Sequence, residues 1–306
     1  MKRSIAEQWL QLPRNVNGRS NSDVLRPITS GGDIVRRGEL GWVIDFNQCE
    51  TVEEAAKFEE PFKYIATHVR PVRTDPTRTK RETYRINWWR FAETRPSIRR
   101  WLASGSRYIA TPKVSRHRLF VWLPATIIPD NLVIAILRDD DASFGLLSSR
   151  HHVLWSVAKG AWIGVGNDPT YTPTSSFETF PFPEGLTPDI PATRYADDPR
   201  AKAIAAAAAR LNELREAWLN PPDLVQRVPE VVPGYPDRLL PVDEKAAAIL
   251  RKRTLTNLYN ERPTWLDHAH HDVDAAVAAA YGWPADLTDE QVLERLFQLN
   301  QARAPI

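Results

Sequence analysis

The sequence contains a single cysteine, Cys49, and no segment that would direct the chain to a membrane or to export. One cysteine excludes an intramolecular disulfide and a cysteine-rich zinc site, and it suits a reducing cytoplasm. The first ten residues, MKRSIAEQWL, lack the apolar core of a signal peptide. No run reaches the roughly 18–20 apolar residues of a membrane-spanning helix. We therefore expect a soluble cytoplasmic protein with no membrane partner.

Motifs of several enzyme classes are also missing. No glycine-rich loop joins a predicted strand to a helix, as an S-adenosylmethionine or nucleotide site requires. Residues 220–223, Asn-Pro-Pro-Asp, resemble the Asp/Asn-Pro-Pro-aromatic motif of amino-methylating DNA methyltransferases, but Asp223 replaces the aromatic that stacks on a flipped base. The segment follows an alanine-rich helix, so we interpret it as a helix end. The pairs Glu53-Glu54 and Glu59-Glu60 lack a lysine at a nuclease spacing. We predict no catalytic residue in this chain.

Histidine and aspartate clusters could in principle hold a metal ion. His151-His152 and residues 268–271 have neither accompanying cysteines nor the HExxH spacing of a helical zinc site, so surface histidines are favoured. The Asp139–Asp141 triplet offers hard oxygen ligands. A charged turn after the preceding strand explains the triplet equally well, and we favour the turn. No metal and no cofactor are expected to bind this chain.

Positive charge is concentrated in the first part of the chain. Residues 1–125 contain 23 basic residues (Lys and Arg) and 13 acidic residues (Asp and Glu). Residues 126–306 contain 17 basic and 25 acidic residues. Between residues 68 and 118 there are 14 Lys and Arg but only three acidic residues. Large aromatics alternate with this charge, including Trp88, Trp89 and Trp101. The pattern fits either a solvated charged face or a nucleic-acid surface, and we favour the latter without separating DNA from RNA.

The predicted architecture is α+β, with a mixed or antiparallel sheet followed by helices. Short runs rich in β-branched and aromatic residues predict strands between residues 107 and 165, interrupted by a helix over 148–160. Earlier helices are predicted over 5–12, 52–69 and 96–102. Alanine-rich and amphipathic patterns then predict helices over 199–220, 242–258, 264–280 and 287–301. We expect a binding domain over 1–190 and a helical domain over 199–306.

Four long segments resemble one known family. They are NVNGRSNSDVLRPITSGGDI, RYIATPKVSRHRLFVWL, GVGNDPTYTPTSSFETFPFPEGL and LTNLYNERPTWLDHAHHDVDAAVAAAYGWPADLTDEQVLERLFQLN. Together they look like the C-terminal part of MmeI-like type IIL restriction–modification enzymes. Those proteins join a nuclease, a class I S-adenosylmethionine-dependent adenine-specific DNA methyltransferase, a target recognition domain and a helical C-terminal segment. The resemblance implies that this chain is the recognition domain with the helical segment.

The resemblance also implies roles for particular residues. Residues expected to bind the DNA backbone are Arg85, Arg90, Arg99, Arg100, Lys113, Arg116 and Arg118. Some of these could instead form bidentate contacts with guanine, which the sequence alone leaves open. Residues expected to read bases are Gly166, Asn167, Asp168 and Thr170. An Asn-Asp-Pro turn at the same place is the alternative.

Double-stranded DNA is thus the expected partner, together with a methyltransferase or nuclease core on another chain. S-adenosylmethionine is expected for that core and not for this chain. The alternatives are a stand-alone methyltransferase or nuclease with a diverged site, and a general nucleic-acid-binding protein. No aromatic pair or loop typical of RNA-binding modules supports RNA binding.

Overall fold

A computed structural model describes residues 1–163 and 168–303. The helices alternate with short strands in the first half of the chain and dominate the second half. In chain order, α1 to α7 are Arg3–Leu10, Gly31–Arg36, Val52–Ala56, Glu59–His68, Arg70–Arg73, Glu82–Ile86 and Pro96–Ser104. Helices α8 to α14 are Asp141–Ser148, Arg150–Lys159, Pro199–Leu219, Glu244–Leu250, Leu255–Glu261, Thr264–Tyr281 and Asp289–Arg303.

The strands form small separate sheets. Strands β1 to β6 are Leu25–Thr29, Gly41–Ile44, Arg107–Pro112, Val121–Pro124, Ile128–Pro129 and Val133–Ile136. Strands β7 to β10 are Trp162–Ile163, Asp168–Pro169, Val225–Val228 and Arg238–Pro241. One sheet has the order β2–β1–β5, with β1 antiparallel to β2 and parallel to β5. The second has the antiparallel order β4–β3–β6, and β7–β8 and β9–β10 are two-stranded ribbons. The predicted α+β class is confirmed.

The largest apolar core lies where the β4–β3–β6 sheet meets the helices. Residues of α10 recur on one face at helical spacing and are buried: Ala201, Ile204, Ala208, Leu211 and Arg215. This face packs against α8 and α13. A Cβ atom on Gly145 of α8 would lie 2.5 Å from a methyl of Ile204, so only glycine permits this close approach. The alanine-rich helix therefore fits tightly against the region that precedes it.

The core extends across residue 199, where the alanine-rich helical segment begins. It includes Ile109 of β3 and Phe120, which precedes β4, together with Val273 and Leu296 from the last helices. Backbone carbonyls of the proline-rich segment 177–185 accept hydrogen bonds from the helices as well: Tyr281 donates to Pro181 at 2.9 Å. The helical segment and the second half of the predicted binding domain thus share one hydrophobic core.

The aromatic residues of the basic stretch mostly face inward. Trp88 is buried in a second apolar cluster with Phe46 and Phe58, and Tyr108 is fully buried in β3. Trp122 stacks on Phe144 at a centroid distance of 4.9 Å. These rings stabilise the fold, and a buried ring presents no free face on which a nucleic-acid base could stack.

Several helix boundaries differ from the predicted ones. The helix predicted over 52–69 is divided into α3 and α4, because Pro61 has no N–H and its ring clashes with the carbonyl four residues earlier. Thr51 caps α3, and the Glu54 carboxylate accepts from the amide of Glu50. The helix predicted over 242–258 is likewise divided, since Thr254 caps a new helix at Leu255. Helix α9 begins after Ser149 and ends at Gly160, as predicted.

Candidate DNA interface

The β7–β8 ribbon carries the described part of the predicted base-reading segment. Its strands pair Trp162 with Pro169 and Ile163 with Asp168. The ribbon continues into an isolated bridge between Val114 and Thr170, which joins it to the turn after β3. Within the described residues the ribbon therefore lies beside the end of the basic stretch.

Backbone hydrogen bonds fix the base of the ribbon. The amide and the hydroxyl of Thr170 both donate to the carbonyl of Ala161 at 2.8 Å. The Tyr171 amide donates to the Lys113 carbonyl at 2.7 Å. A Cβ atom on Gly160 would lie 2.5 Å from the Thr170 carbonyl oxygen. The end of α9 can therefore approach the ribbon this closely only because residue 160 is a glycine. The ribbon is thus held from both sides by close backbone contacts.

Arg118 anchors the ribbon from inside the protein. Its side chain is buried, and its guanidinium donates to the Pro169 carbonyl at 2.9 Å and to the Thr111 hydroxyl at 2.9 Å. It also donates to the carbonyl of Pro112 at the end of β3. Burial lowers the pKa of Arg118 to about 10, so the group is still cationic at neutral pH. One buried cation therefore connects the central strand to the ribbon.

Tyr171 and His152 complete this buried cluster. The Arg118 guanidinium carbon lies 5.1 Å from the centroid of the Tyr171 ring, and the Tyr171 hydroxyl lies 2.8 Å from Nε2 of His152. Burial, and secondly the charge of Arg118, lower the pKa of His152 to about 3. The histidine is neutral at physiological pH, and one of its ring nitrogens is available to bond the tyrosine. The cluster links α9, β3 and the ribbon.

The residues predicted to bind the DNA backbone divide into three groups. Arg118 is buried and bonded to protein acceptors, so its contribution lies in positioning the ribbon. The half-buried arginines bond protein acceptors as well: Arg85 to the carbonyls of Thr79 and Lys80, Arg90 to that of Asn47, and Arg99 to the carboxylate of Asp45. The exposed group comprises Arg100, Lys113 and Arg116, whose side chains form no hydrogen bond or ion pair with any residue in the described ranges.

These exposed cations lie at different places. Arg100 is on α7, which precedes β3, whereas Lys113 and Arg116 lie in the turn that follows it. The bridge from Val114 to Thr170 brings that turn beside the ribbon. The structure thus groups Lys113 and Arg116 with the predicted base-reading segment and leaves Arg100 apart from it.

Of the four residues predicted to read bases, Gly166 and Asn167 lie outside the described residues. Asp168 is half-buried, and its carboxylate has no hydrogen-bond partner among the residues that the structure describes. The Thr170 hydroxyl donates its proton to Ala161, which leaves its oxygen available as an acceptor. Both described side chains can therefore accept a hydrogen bond from a base amino group.

His151, His152 and His270 are not the surface residues that were expected, whereas His268 and His271 are exposed as expected. His151 and His152 are both buried, and burial lowers the pKa of His151 to about 4. The half-buried His270 bonds the hydroxyl of Tyr259 at 2.9 Å. The burial of these histidines could not be predicted from the sequence, because a histidine that packs inside a protein has no characteristic local sequence pattern. In residues 1–163 and 168–303 no cluster of three or more His, Cys, Asp or Glu side chains could hold a metal ion.

The aspartate triplet opens a helix. The Asp140 carboxylate accepts from the amide of Ser143 and caps α8, and Asp141 pairs with Arg107 at 3.1 Å. Asp140 also pairs with Arg138 at 2.9 Å. The predicted charged turn is thus a helix N-terminus. Helix α8 itself was missed, because its Gly, Ser and Phe residues are weak helix formers and tertiary packing supplies its stability.

Two exposed apolar side chains on the ribbon were also not recognised from the sequence. Trp162 and Ile163 retain 51% and 45% of their accessible surface. Their residue types predicted a strand with a buried face, and no sequence signal distinguishes an exposed ribbon from a core strand. No helix in the described part of the chain has the length and apolar character needed to cross a membrane.

A rigid core that presents a short ribbon beside unpaired cations defines a binding module. Residues 14–184 match the family model described as the MmeI target recognition domain, which spans more than half of the chain. The chain therefore belongs to the MmeI target recognition domain family.

The fold also matches a solved structure of the type IIL restriction–modification enzyme MmeI in complex with DNA. The TM-score is 0.62 at 18% sequence identity, and the match covers 92% of this chain. It covers 31% of the chain in that structure, so this chain spans about a third of the length of that protein. No curated protein matches the sequence.

Proposed function

We propose that this chain selects a double-stranded DNA sequence for an adenine-N6 methyltransferase and restriction enzyme whose catalytic core lies outside these 306 residues. Family membership over residues 14–184 is the single observation that carries the proposal. The likeness in fold to about a third of a DNA-bound enzyme supports a role as one part of such an assembly. The catalytic core is then a second partner besides DNA.

S-adenosylmethionine belongs to that core in this proposal. The chain's own Asn-Pro-Pro-Asp segment begins at Asn220, which ends α10, and it follows a helix where a methyltransferase motif would follow a strand. Asp223 cannot stack on a base. These residues do not fit a methyl-transfer site, and no step of methyl transfer is assigned to them.

The exposed cations would supply affinity, and the ribbon would supply selectivity. Lys113 and Arg116 would neutralise phosphates beside the ribbon, and Arg100 would do so from α7. Asp168 would accept a hydrogen bond from the amino group of cytosine, and Asn167 would bond adenine through two contacts. Gly166 would let the backbone approach the groove, and the Thr170 oxygen would accept from a base amino group.

We assign 1–190 to DNA reading and 199–306 to support of the reading domain. The acidic helices contact the recognition half through charged groups as well as through the core. The Asp274 carboxylate of α13 accepts from the amide of Arg150 at 2.7 Å, at the N-terminus of α9. A carboxylate at this position stabilises the helix that leads into the ribbon. The acidic half would thus position the ribbon without binding DNA itself.

Competition binding tests the proposal. The full chain is titrated with a fluorescent duplex DNA against single-stranded DNA and duplex RNA at several salt concentrations, and methyl transfer from tritiated S-adenosylmethionine is measured in parallel. Duplex DNA should be preferred, affinity should fall steeply with salt, and no tritium should reach the DNA. Preference for RNA, or affinity independent of salt, would contradict DNA recognition. Tritium transfer would show that the chain is an enzyme by itself.

A further inference from the structure

Two large apolar side chains of the β7–β8 ribbon are exposed among the residues that the structure describes. Trp162 is half exposed, and its neighbour Ile163 is almost as exposed. Large apolar side chains of this kind are usually covered, and exposing two in succession costs the free energy that their burial would release. Adjacent exposed apolar residues on a binding module mark a contact surface.

Strand pairing places Ile163 with the proposed base-reading residue. Ile163 lies directly opposite Asp168, so their side chains share one face of the ribbon. Trp162 lies opposite Pro169, whose carbonyl is held by Arg118. Any surface that reaches Asp168 on this face must therefore also meet Ile163, whereas Trp162, one residue earlier in the strand, projects from the opposite face of the ribbon.

The charge around the pair selects nucleic acid over an apolar protein partner. The turn that bridges to the ribbon contributes the exposed Lys113 and Arg116, which have no acidic partner in the described ranges. Lys159, at the end of the helix before the ribbon, lies over the rings of Trp155 and Phe297. An exposed apolar side chain near exposed cations complements a groove that has an apolar group at its floor and phosphates at its edges.

We propose that Ile163 contacts a thymine C5-methyl group in the DNA major groove, next to the base pair that Asp168 reads. The major groove, about 12 Å wide, admits a two-stranded ribbon, and the thymine methyl is the apolar group that it displays. The inference rests on the proposed function and adds a preference for thymine at a position beside the one read by Asp168.

Removal of the methyl group from DNA tests the contact. The full chain selects its preferred duplexes from a random library, and each thymine of the selected site is then replaced in turn by uracil. Affinities are measured for the wild type and for Trp162→Ala and Ile163→Ala. Leu240→Ala is the matched control, because Leu240 is 39% exposed on the other ribbon, β9–β10.

Uracil at a contacted position should weaken wild-type binding about three- to fivefold, as expected from the loss of one buried methyl group. Ile163→Ala should weaken binding to the thymine duplex and abolish the difference between thymine and uracil. Trp162→Ala, on the opposite face of the ribbon, should retain that difference. The Leu240→Ala variant should retain both the wild-type affinity for the thymine duplex and the difference between thymine and uracil duplexes.

Equal wild-type affinity for thymine and uracil duplexes overturns the inference, as does a selected site without thymine. Persistence of the full difference in the Ile163→Ala variant also overturns it. In each case salt-dependent binding of the wild type to duplex DNA would leave the proposed function standing. Loss of that binding would instead remove the proposed function and the inference together.

Discussion

Arg118 donates from the interior of the protein to the carbonyl of Pro169 at 2.9 Å, and so fixes one strand of the ribbon. Its guanidinium bonds carbonyl and hydroxyl oxygens and lies over the ring of Tyr171. Among the described residues no carboxylate pairs with it. A buried cation without a counterion costs stability. This arrangement instead gives three directed bonds from one rigid planar group, which restricts the ribbon to one position.

Replacing Arg118 with methionine should loosen the ribbon. Methionine keeps most of the volume but leaves the carbonyls of Pro112 and Pro169 without a donor. We expect a loss of about 2–4 kcal/mol in the free energy of unfolding, from the loss of hydrogen bonds to a charged group. Hydrogen exchange of the Thr170 and Tyr171 amides should accelerate more than that of amides in α10. Arg116→Met is the control and should leave exchange unchanged. Uniform acceleration across the protein would contradict a specific positioning role.

Lys113 and Arg116 should contribute to the salt dependence of binding. The double change Lys113→Ala/Arg116→Ala removes two proposed phosphate contacts. The slope of log K against log salt should become less steep by about 2, with a nearly uniform loss of affinity across sequences. Lys245→Ala, an exposed lysine on α11, is the control and should leave the slope unchanged. An unaltered slope in the double variant would place the phosphate contacts elsewhere.

Asp168→Asn should change which sequence the protein prefers. A carboxylate accepts hydrogen bonds only, whereas an amide both donates and accepts, so the preferred base at one position should change. Discrimination at that position should change by about 1–3 kcal/mol. Binding to random-sequence duplex DNA should remain within about twofold. Sequencing of selected duplexes measures the first effect, and titration measures the second. An unchanged preferred sequence would assign base reading to other residues.

His152→Gln should reduce the dependence of stability on pH. Because the pKa of His152 falls from 6.5 to about 3 on folding, the unfolded chain binds a proton that the folded chain does not between those pH values. Stability is therefore lost as pH falls below about 6.5, by up to about 1.4 kcal/mol per pH unit for one such group. Glutamine can retain a bond to Tyr171 but cannot titrate.

Urea unfolding at pH 7 and pH 5 measures this effect, with the exposed His268→Gln as the control. His151 and His270, whose pKa values are also lowered, act in the same direction as His152. Asp274 opposes them, because burial raises its pKa to about 6 and the folded chain then retains a proton below that pH. A His152→Gln variant with the same loss of stability at pH 5 as the wild type would contradict the assignment.

Much of the fold follows from local sequence signals. Pro96, Ser149, Gly160 and the proline after α10 fix helix ends through their own backbone chemistry, and the structure has helix ends at these positions. The strands around Ile109 were predicted from their β-branched and aromatic content. Helix α8 was not predicted, because its sequence has low helix propensity. Its stability comes from contact with α10, which lies far along the chain.

The site was predicted less completely than the fold. Composition indicated a basic surface, but it could not separate exposed cations such as Arg116 from buried ones such as Arg118, because burial depends on tertiary contacts. The resemblance indicated the segment around Asp168. It could not indicate that Trp162 and Ile163 would be exposed beside it, since the same residue types occur in core strands.

Selection from a random-sequence duplex library tests the central claim most directly. The full chain is incubated with the library at two salt concentrations, and bound DNA is sequenced after successive rounds. If the chain is a DNA specificity module, one sequence should be enriched at both concentrations, while total bound DNA falls steeply at the higher one. Recovery of bound duplexes with no enriched sequence at either concentration would contradict it.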